Sequence, residues 1–197
     1  MVLPIYVYGE PVLREPTTPV DADSPELQQF IDDMIETMHG ASGIGLAAPQ
    51  VGRTERLFVI DLSNLEEDLE EEFDGAENVP DWLREPVVFI NPEVVEDEDC
   101  DEVEFEEGCL SIPDIREQVW RPELIHVRFL DRNFQPKEIE AGGMLARVIQ
   151  HEFDHLNGVL FIDHISAFRR RLLKRRLREI TLGEGRADYP LKTPADS

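Results

Sequence analysis

Hydrophobic positions recur along this chain in two rhythms, one near 3.6 residues and one of two, and the switches between them mark its elements. Leu27, Phe30, Ile31, Met34, Ile35 and Met38 fall at helical spacing. Ser24 stands before them as an N-cap, Pro25 suits the first turn and Gly40 closes the run, so the pattern predicts a helix over 24–39. His39 then belongs to the last turn or the surface. Residues 1–20 read as an extended arm with turns at Pro11, Pro16 and Pro19. The apolar run at 56–62 predicts a buried strand, and 87–95 a strand interrupted at Asn91-Pro92. Val103 and Phe105 alternate with acids as in a half-buried strand, and Ile112-Pro113 predicts a turn. Ile125, Val127 and Phe129 alternate with His126 and Arg128, which puts His126 towards solvent. After Gly142-Gly143 the helical rhythm returns. Met144, Val148, His151 and His155 form one stripe, Leu145, Ile149, Phe153 and Leu156 its neighbour, and Gly158 ends the helix. Residues 159–162 read as a short buried strand or turn. A last helix is predicted over 166–180, with Phe168, Leu172, Leu173, Leu177 and Ile180 on its apolar side.

Charge changes this picture in three places. The 197 residues carry 43 acids against 19 Lys and Arg, a net charge of -24. That balance argues against general nucleic-acid binding, DNA included, and creates self-repulsion that salt would screen. Adaptation to a salt-rich cytoplasm and plain acidic drift are the two readings; stabilisation by molar salt in melting curves would separate them. The acids concentrate at 63–86, read as a solvated insertion that is flexible or loosely helical and pinned by Trp82 and Leu83. They concentrate again at 96–107. Against this background the helix at 166–180 carries Arg169, Arg170, Arg171, Lys174, Arg175, Arg176 and Arg178. These cations either complement the acidic segments or form a docking helix for RNA or another anionic surface. Residues 183–197, rich in Gly and Pro, read as a flexible tail, leaving one domain over 1–182. No apolar run is long enough to span a membrane, and no signal peptide is evident. Two cysteines, Cys100 and Cys109, make no disulfide framework, so a reducing cytoplasm is the simpler inference. A bridge between them is the competing reading. Among its acidic neighbours Cys100 is taken as structural.

The candidate chemistry centres on Gln150-His151-Glu152-Phe153-Asp154-His155. Residues four apart share a helix face, so His151 and His155 can reach one point with Glu152 beside it. Two neutral imidazoles suit a divalent metal, and a neighbouring carboxylate can accept a proton from water activated by such an ion. A third ligand is needed. A zinc-protease pattern would place a further His where Phe161 stands, and His164 comes too late. Cys109, in Glu107-Gly108-Cys109-Leu110-Ser111, is the better candidate, since a thiolate binds transition metals strongly; a lone Cys is otherwise a small buried hydrophobe. The loop Gly43-Ile44-Gly45-Leu46-Ala47-Ala48-Pro49-Gln50 lacks a phosphate-loop ending. Its spacing suits a tight turn with Gln50 bonded to backbone, and its alternative is an amide aimed at a reacting oxygen.

Taken together and in this order, the loop ending at Gln50, the Cys109 motif and the His-Glu-x-x-His helix resemble the three signature motifs of the peptide deformylases. The resemblance covers most of residues 1–170 and departs in the longer acidic insertion and the extreme charge. It implies an α+β fold with strands packed around a central metal-binding helix, flanked by an N-terminal and a C-terminal helix. It implies removal of the formyl group from the formyl-methionine of nascent polypeptides in the cytoplasm, with release of formate. Cys109, His151 and His155 would hold one divalent ion, Fe²⁺ in the cell, with Zn²⁺, Ni²⁺ or Co²⁺ able to take its place. Glu152 would be the general acid and base, and the Gln50 amide and Leu110 N–H would stabilise the oxyanion. Gly43, Ile44, Gly45, Glu107, Gly108, Met144 and Val148 would bind substrate. Arg147 stands where many relatives are apolar, and Arg116 is a candidate to pair with a carboxylate near the site. The main alternative is a metallopeptidase cleaving ordinary peptide bonds; a non-enzymatic metal-binding or ribosome-associated protein is a third reading, for which a closed site would need four protein ligands.

Overall fold

The computed structural model describes residues 1–96 and 100–196. Its helices are α1 (Pro25–Gly40), α2 (Glu66–Glu72), α3 (Gly143–Leu156) and α4 (Ala167–Thr181). Its strands are β1 (Ile5–Tyr6), β2 (Gly45–Ala47), β3 (Leu57–Ile60), β4 (Val87–Glu96), β5 (Glu102–Cys109), β6 (Ile112–Pro122), β7 (Ile125–Leu130), β8 (Pro136–Ala141) and β9 (Leu191–Lys192). An antiparallel sheet runs in the order β2-β3-β4-β7-β8. β5 and β6 form a separate hairpin, and β1 and β9 a short parallel pair.

Strand β3 explains why its sequence is apolar at every position. Successive side chains point to opposite faces of a sheet, and here both faces are covered. Leu57 and Val59 pack on one side with Phe30, Met34 and Met38 of α1. Phe58 and Ile60 pack on the other with Leu145, Ile149 and Leu156 of α3. The strand expected at 56–62 is thus present and fully buried. A third cluster seats Leu173, Leu177 and Ile180 of α4 against Ile112, Ile115 and Val119 of β6. α3 touches both sheets: its apolar stripe faces the larger one, while Gln150 Nε2 donates to the Pro122 carbonyl at the end of β6 at 3.0 Å.

Local signals behave as read at the caps and the interrupted strand. Ser24 Oγ accepts the Leu27 N–H at 3.1 Å and opens α1. The interruption expected at Asn91-Pro92 is a bulge inside a continuous β4, with Asn91 at φ 50°. Gly158, at φ 72°, follows α3, and a β-carbon there would lie 2.6 Å from the Arg14 carbonyl oxygen.

Four expectations differ from the structure. The turn assigned to Ile112-Pro113 falls instead at Leu110-Ser111, and Pro113 lies inside β6. Val103 and Phe105 are exposed rather than half-buried. The acidic segment 63–86 is more firmly anchored than expected: it contains the helix α2, its acids are mostly exposed and Leu83 pins it as expected, but Leu69 and Val79 are also buried in the core of the larger sheet, and Trp82 stays 40% exposed. From α2, Glu72 Oε2 accepts the Met144 N–H at 3.0 Å, so an acid satisfies a first-turn donor of α3 and complements its dipole. The segment 183–197, expected loose, folds back to form β9 against the N-terminal arm. Of the acidic stretch 96–107, residues 97–99 lie outside the described residues. Cys100 and Cys109 are both free thiols, so the competing bridge is not formed. Cys100 Sγ accepts the Leu124 N–H at 3.1 Å. No helix of the described residues is long and apolar enough to cross a membrane.

Candidate metal centre

His151 and His155 sit one turn apart on α3, with ring centroids 5.2 Å apart. Cys109 ends β5, at the tight turn into β6, and its Sγ lies 3.3 Å from His155 Nε2. One donor atom from each of the three residues lies within 4.8 Å of the others. Tetrahedral coordination, with metal–sulfur bonds near 2.3 Å and metal–nitrogen bonds near 2.0 Å, puts neighbouring donors about 3.5 Å apart. The cluster is therefore of the right size and chemistry for a single transition-metal ion. Beside it, Glu152 Oε2 is buried with no partner among the described residues.

Electrostatics favour the thiolate. Burial alone would raise the Cys109 thiol, but the imidazoles of His155 and His151 pull it down to about 5. Burial pushes the Glu152 carboxyl up to about 7, against the lowering effect of both histidines.

Behind the ligands lies a buried ion network. Glu107 Oε2 meets His151 Nδ1 at 2.9 Å, leaving Nε2 free for an ion. Arg121 grips the same carboxylate through two bonds of 2.6 and 3.0 Å, and Arg147 Nη1 adds a third at 3.0 Å. Arg121 also reaches Asp154 at 2.7 Å, which in turn meets His164 at 2.7 Å. Burial opposes ionisation of Glu107, but His151 and Arg121 overcome it and hold the carboxyl far below the usual range. The pairing expected of Arg116 thus belongs to Arg121. The strand phase decides it: Glu117, Val119 and Arg121 point inward on β6, while Arg116, Gln118 and Trp120 point out. Arg147 spends its remaining donors on the Val119 and Val103 carbonyls, at 3.0 and 2.6 Å.

A cavity of about 690 Å³ opens onto the cluster. All seven expected substrate-binding residues line it: Gly43, Ile44, Gly45, Glu107, Gly108, Met144 and Val148. Glu107 differs from the rest, since its carboxylate is committed to His151 and the two arginines. Gln50 is bonded to backbone, as its spacing in the turn predicts. Its Oε1 accepts the Ala47 N–H at 2.8 Å, which turns Nε2 towards Ser111 Oγ at 3.3 Å and Cys109 Sγ at 3.5 Å. The Leu110 N–H beside it has no backbone acceptor among the described residues. Gly45 is the point of closest approach, because a β-carbon there would lie 2.8 Å from Glu152 Cδ and 2.9 Å from Cγ. Residues 186–189 of the C-terminal segment also line the cavity. Sequence reasoning missed them, and it missed Arg121, whose only local signal is its place in the β6 alternation.

A thiolate and two imidazoles with a buried carboxylate alongside, opening onto a cavity in an α+β scaffold, define a metal-dependent hydrolase. The family model described as polypeptide deformylase matches residues 2–171. The chain is 59% identical over 196 residues to a peptide deformylase of Salinibacter ruber, covering 100% of this chain and 97% of that one. It is 44% identical to that of Christiangramia forsetii, over 98% of this chain and 97% of the relative. Among solved structures, a Legionella pneumophila peptide deformylase superposes with a TM-score of 0.77 at 38% identity, over 91% of this chain and 95% of that one. A Synechococcus elongatus enzyme in complex with actinonin gives 0.75 at 39% identity, over 94% and 92% of the two chains. The chain belongs to the peptide deformylase family.

Proposed function

We propose that this protein hydrolyses the N-formyl group from the formyl-methionyl terminus of nascent polypeptides in the cytoplasm, releasing formate. The observation that carries the reading is the convergence of Cys109, His151 and His155 beside an unpartnered Glu152 carboxylate. Cys109, His151 and His155 would hold one divalent ion, Fe²⁺ in the cell, with Zn²⁺, Ni²⁺ or Co²⁺ as substitutes suited to the same donors. Such an ion, when bound, supplies Lewis acidity and makes water a competent nucleophile near neutral pH.

The chain's own residues do the rest. Glu152 takes a proton from the attacking water as its oxygen adds to the formyl carbon, then delivers that proton to the departing amine nitrogen. The carbonyl oxygen gains negative charge during addition, and the Gln50 Nε2 and Leu110 N–H donors are the groups that would meet it. Gln50 is held in place by its own Oε1 bond to Ala47, and its Nε2 would exchange Ser111 or Cys109 for the oxyanion. Glu107 fixes the His151 tautomer. Gly43, Ile44 and Gly45 offer backbone along the groove, while Met144 and Val148 present apolar side chains for a methionine. The C–N bond breaks, and formate and a free α-amine leave.

The test is formate release from a formyl-Met peptide, with Fe²⁺ kept reduced. Formate with an intact peptide is expected; a new internal amine without formate would replace this reading with a metallopeptidase. Gly45→Ala is expected to lower turnover about 10- to 100-fold while metal content stays the same, because the added methyl displaces Glu152. Unchanged kinetics in that variant would remove the steric argument.

Docking of α4 on the ribosome is supported by its exposed Arg171, Lys174 and Arg178 on so acidic a chain. Leu173, Leu177 and Ile180 belong to the core, so deleting the helix would unfold its surroundings. Charge reversal at the three exposed cations is the cleaner experiment: salt-sensitive ribosome binding should disappear, and retained binding would end the idea.

A further inference from the structure

The turn that follows Cys109 is held from outside by both ends of the chain. Tyr189 Oη donates to the Leu110 carbonyl at 2.9 Å. The Tyr8 N–H donates to the Ser111 carbonyl at 2.8 Å. The two ends are themselves tied, through Ile5 N–H to the Pro190 carbonyl at 2.8 Å and Val7 N–H to the Lys192 carbonyl at 3.0 Å, on either side of the β1–β9 pair. Tyr189 is half-buried at the cavity wall, and its phenol is raised above the ordinary value, by burial first and by nearby Cys109 second. The hydroxyl therefore stays a donor at neutral pH.

A backbone has only two soft dihedrals per residue. With Cys109 fixed on one side and the Leu110 carbonyl fixed on the other, the Leu110 dihedrals have little freedom left. That restraint also sets the direction of the Leu110 N–H. We propose that Tyr189 is a positioning residue for the deformylation reaction: through the Leu110 carbonyl it aims the Leu110 N–H at the developing oxyanion. This assigns a role in the site to the segment beyond α4, and it rests on the deformylase reading above. Tyr189 does not touch the reacting atoms. Preorganisation acts only where charge develops, so its loss should appear in kcat and kcat/KM together, with KM little changed.

The test is Tyr189→Phe, which removes only the hydroxyl and leaves the β1–β9 backbone bonds in place. In formate release at equal metal content, kcat should fall about 3- to 10-fold, the range expected for one lost hydrogen bond, with KM unchanged. Amide exchange of the 109–112 peptide, measured with and without metal, should speed up, while the melting temperature falls by no more than about 2–4 °C. Wild-type kinetics or unaltered exchange at 109–112 in Tyr189→Phe would overturn the inference alone. Absence of formate release by the wild-type protein would overturn the functional reading and this inference with it.

Discussion

Alanine at position 152 is expected to cost about 10²- to 10⁴-fold in kcat, the range for a positioned general acid and base, while the protein keeps its metal and its fold. Glu152 is not one of the three converging donors, so ion binding does not depend on it. Its side chain is buried, with Oε2 unpartnered, an arrangement that costs stability in the absence of a ligand. Removing it should leave the melting temperature unchanged or raise it. A site that trades stability for chemistry gives this signature, whereas a structural carboxylate gives the opposite. Formate release at matched metal content, read beside a melting curve, checks both halves. Turnover within tenfold of wild type would take the acid–base role away from Glu152.

Glu107→Ala should be the most damaging change to the scaffold. Glu107 is 5% exposed and Arg121 is 4% exposed, and Arg147 shares the same carboxylate. Deleting the acid leaves buried Arg121 with Asp154 alone and Arg147 with only carbonyl acceptors, and breaking a buried pair by removing one partner costs about 3–5 kcal/mol. For a chain of this size that corresponds to a fall of about 10 °C in melting temperature. The same substitution frees the His151 ring, so metal affinity should drop about 10- to 100-fold. Melting curves of the metal-free protein isolate the first effect, and competition with a chelator measures the second. A variant that melts and binds metal like the wild type would show that the network does not orient His151.

What the sequence made legible follows from how local each feature is. His151, Glu152 and His155 share one turn of one helix, so their convergence needs nothing but helical spacing. Both faces of β3 were readable because four consecutive apolar residues demand cover on either side. Cys109 joins the cluster only through the pairing of β5 with β6 and their packing on α3, which no local pattern states; its thiolate chemistry made it the candidate, and the resemblance to a family supported the choice. The acidic segment misled because its charge count hides Leu65, Leu69 and Phe73, spaced four apart, which pack on the core. Pro113 misled because residues 113–115 lie in the register shift of the β5–β6 pairing, where Pro113 has no strand partner, Asp114 takes φ 61°, and a missing N–H costs little. Val103 and Phe105 alternate as a buried strand would, yet the hairpin is not covered over them, and Phe105 ends at the cavity rim. The return of the C-terminal segment to the site depends on a two-residue parallel pair between the chain's ends, too short to leave a sequence signal.

The claim on which the rest depends is that one sulfur and two imidazole nitrogens bind a single ion. Anaerobic Co²⁺ titration of the metal-free protein tests it most directly. The account predicts saturation at one ion per chain, visible bands of a four-coordinate centre and a thiolate charge-transfer band that vanishes in Cys109→Ala. Binding without that band, or a spectrum indifferent to Cys109, would contradict it.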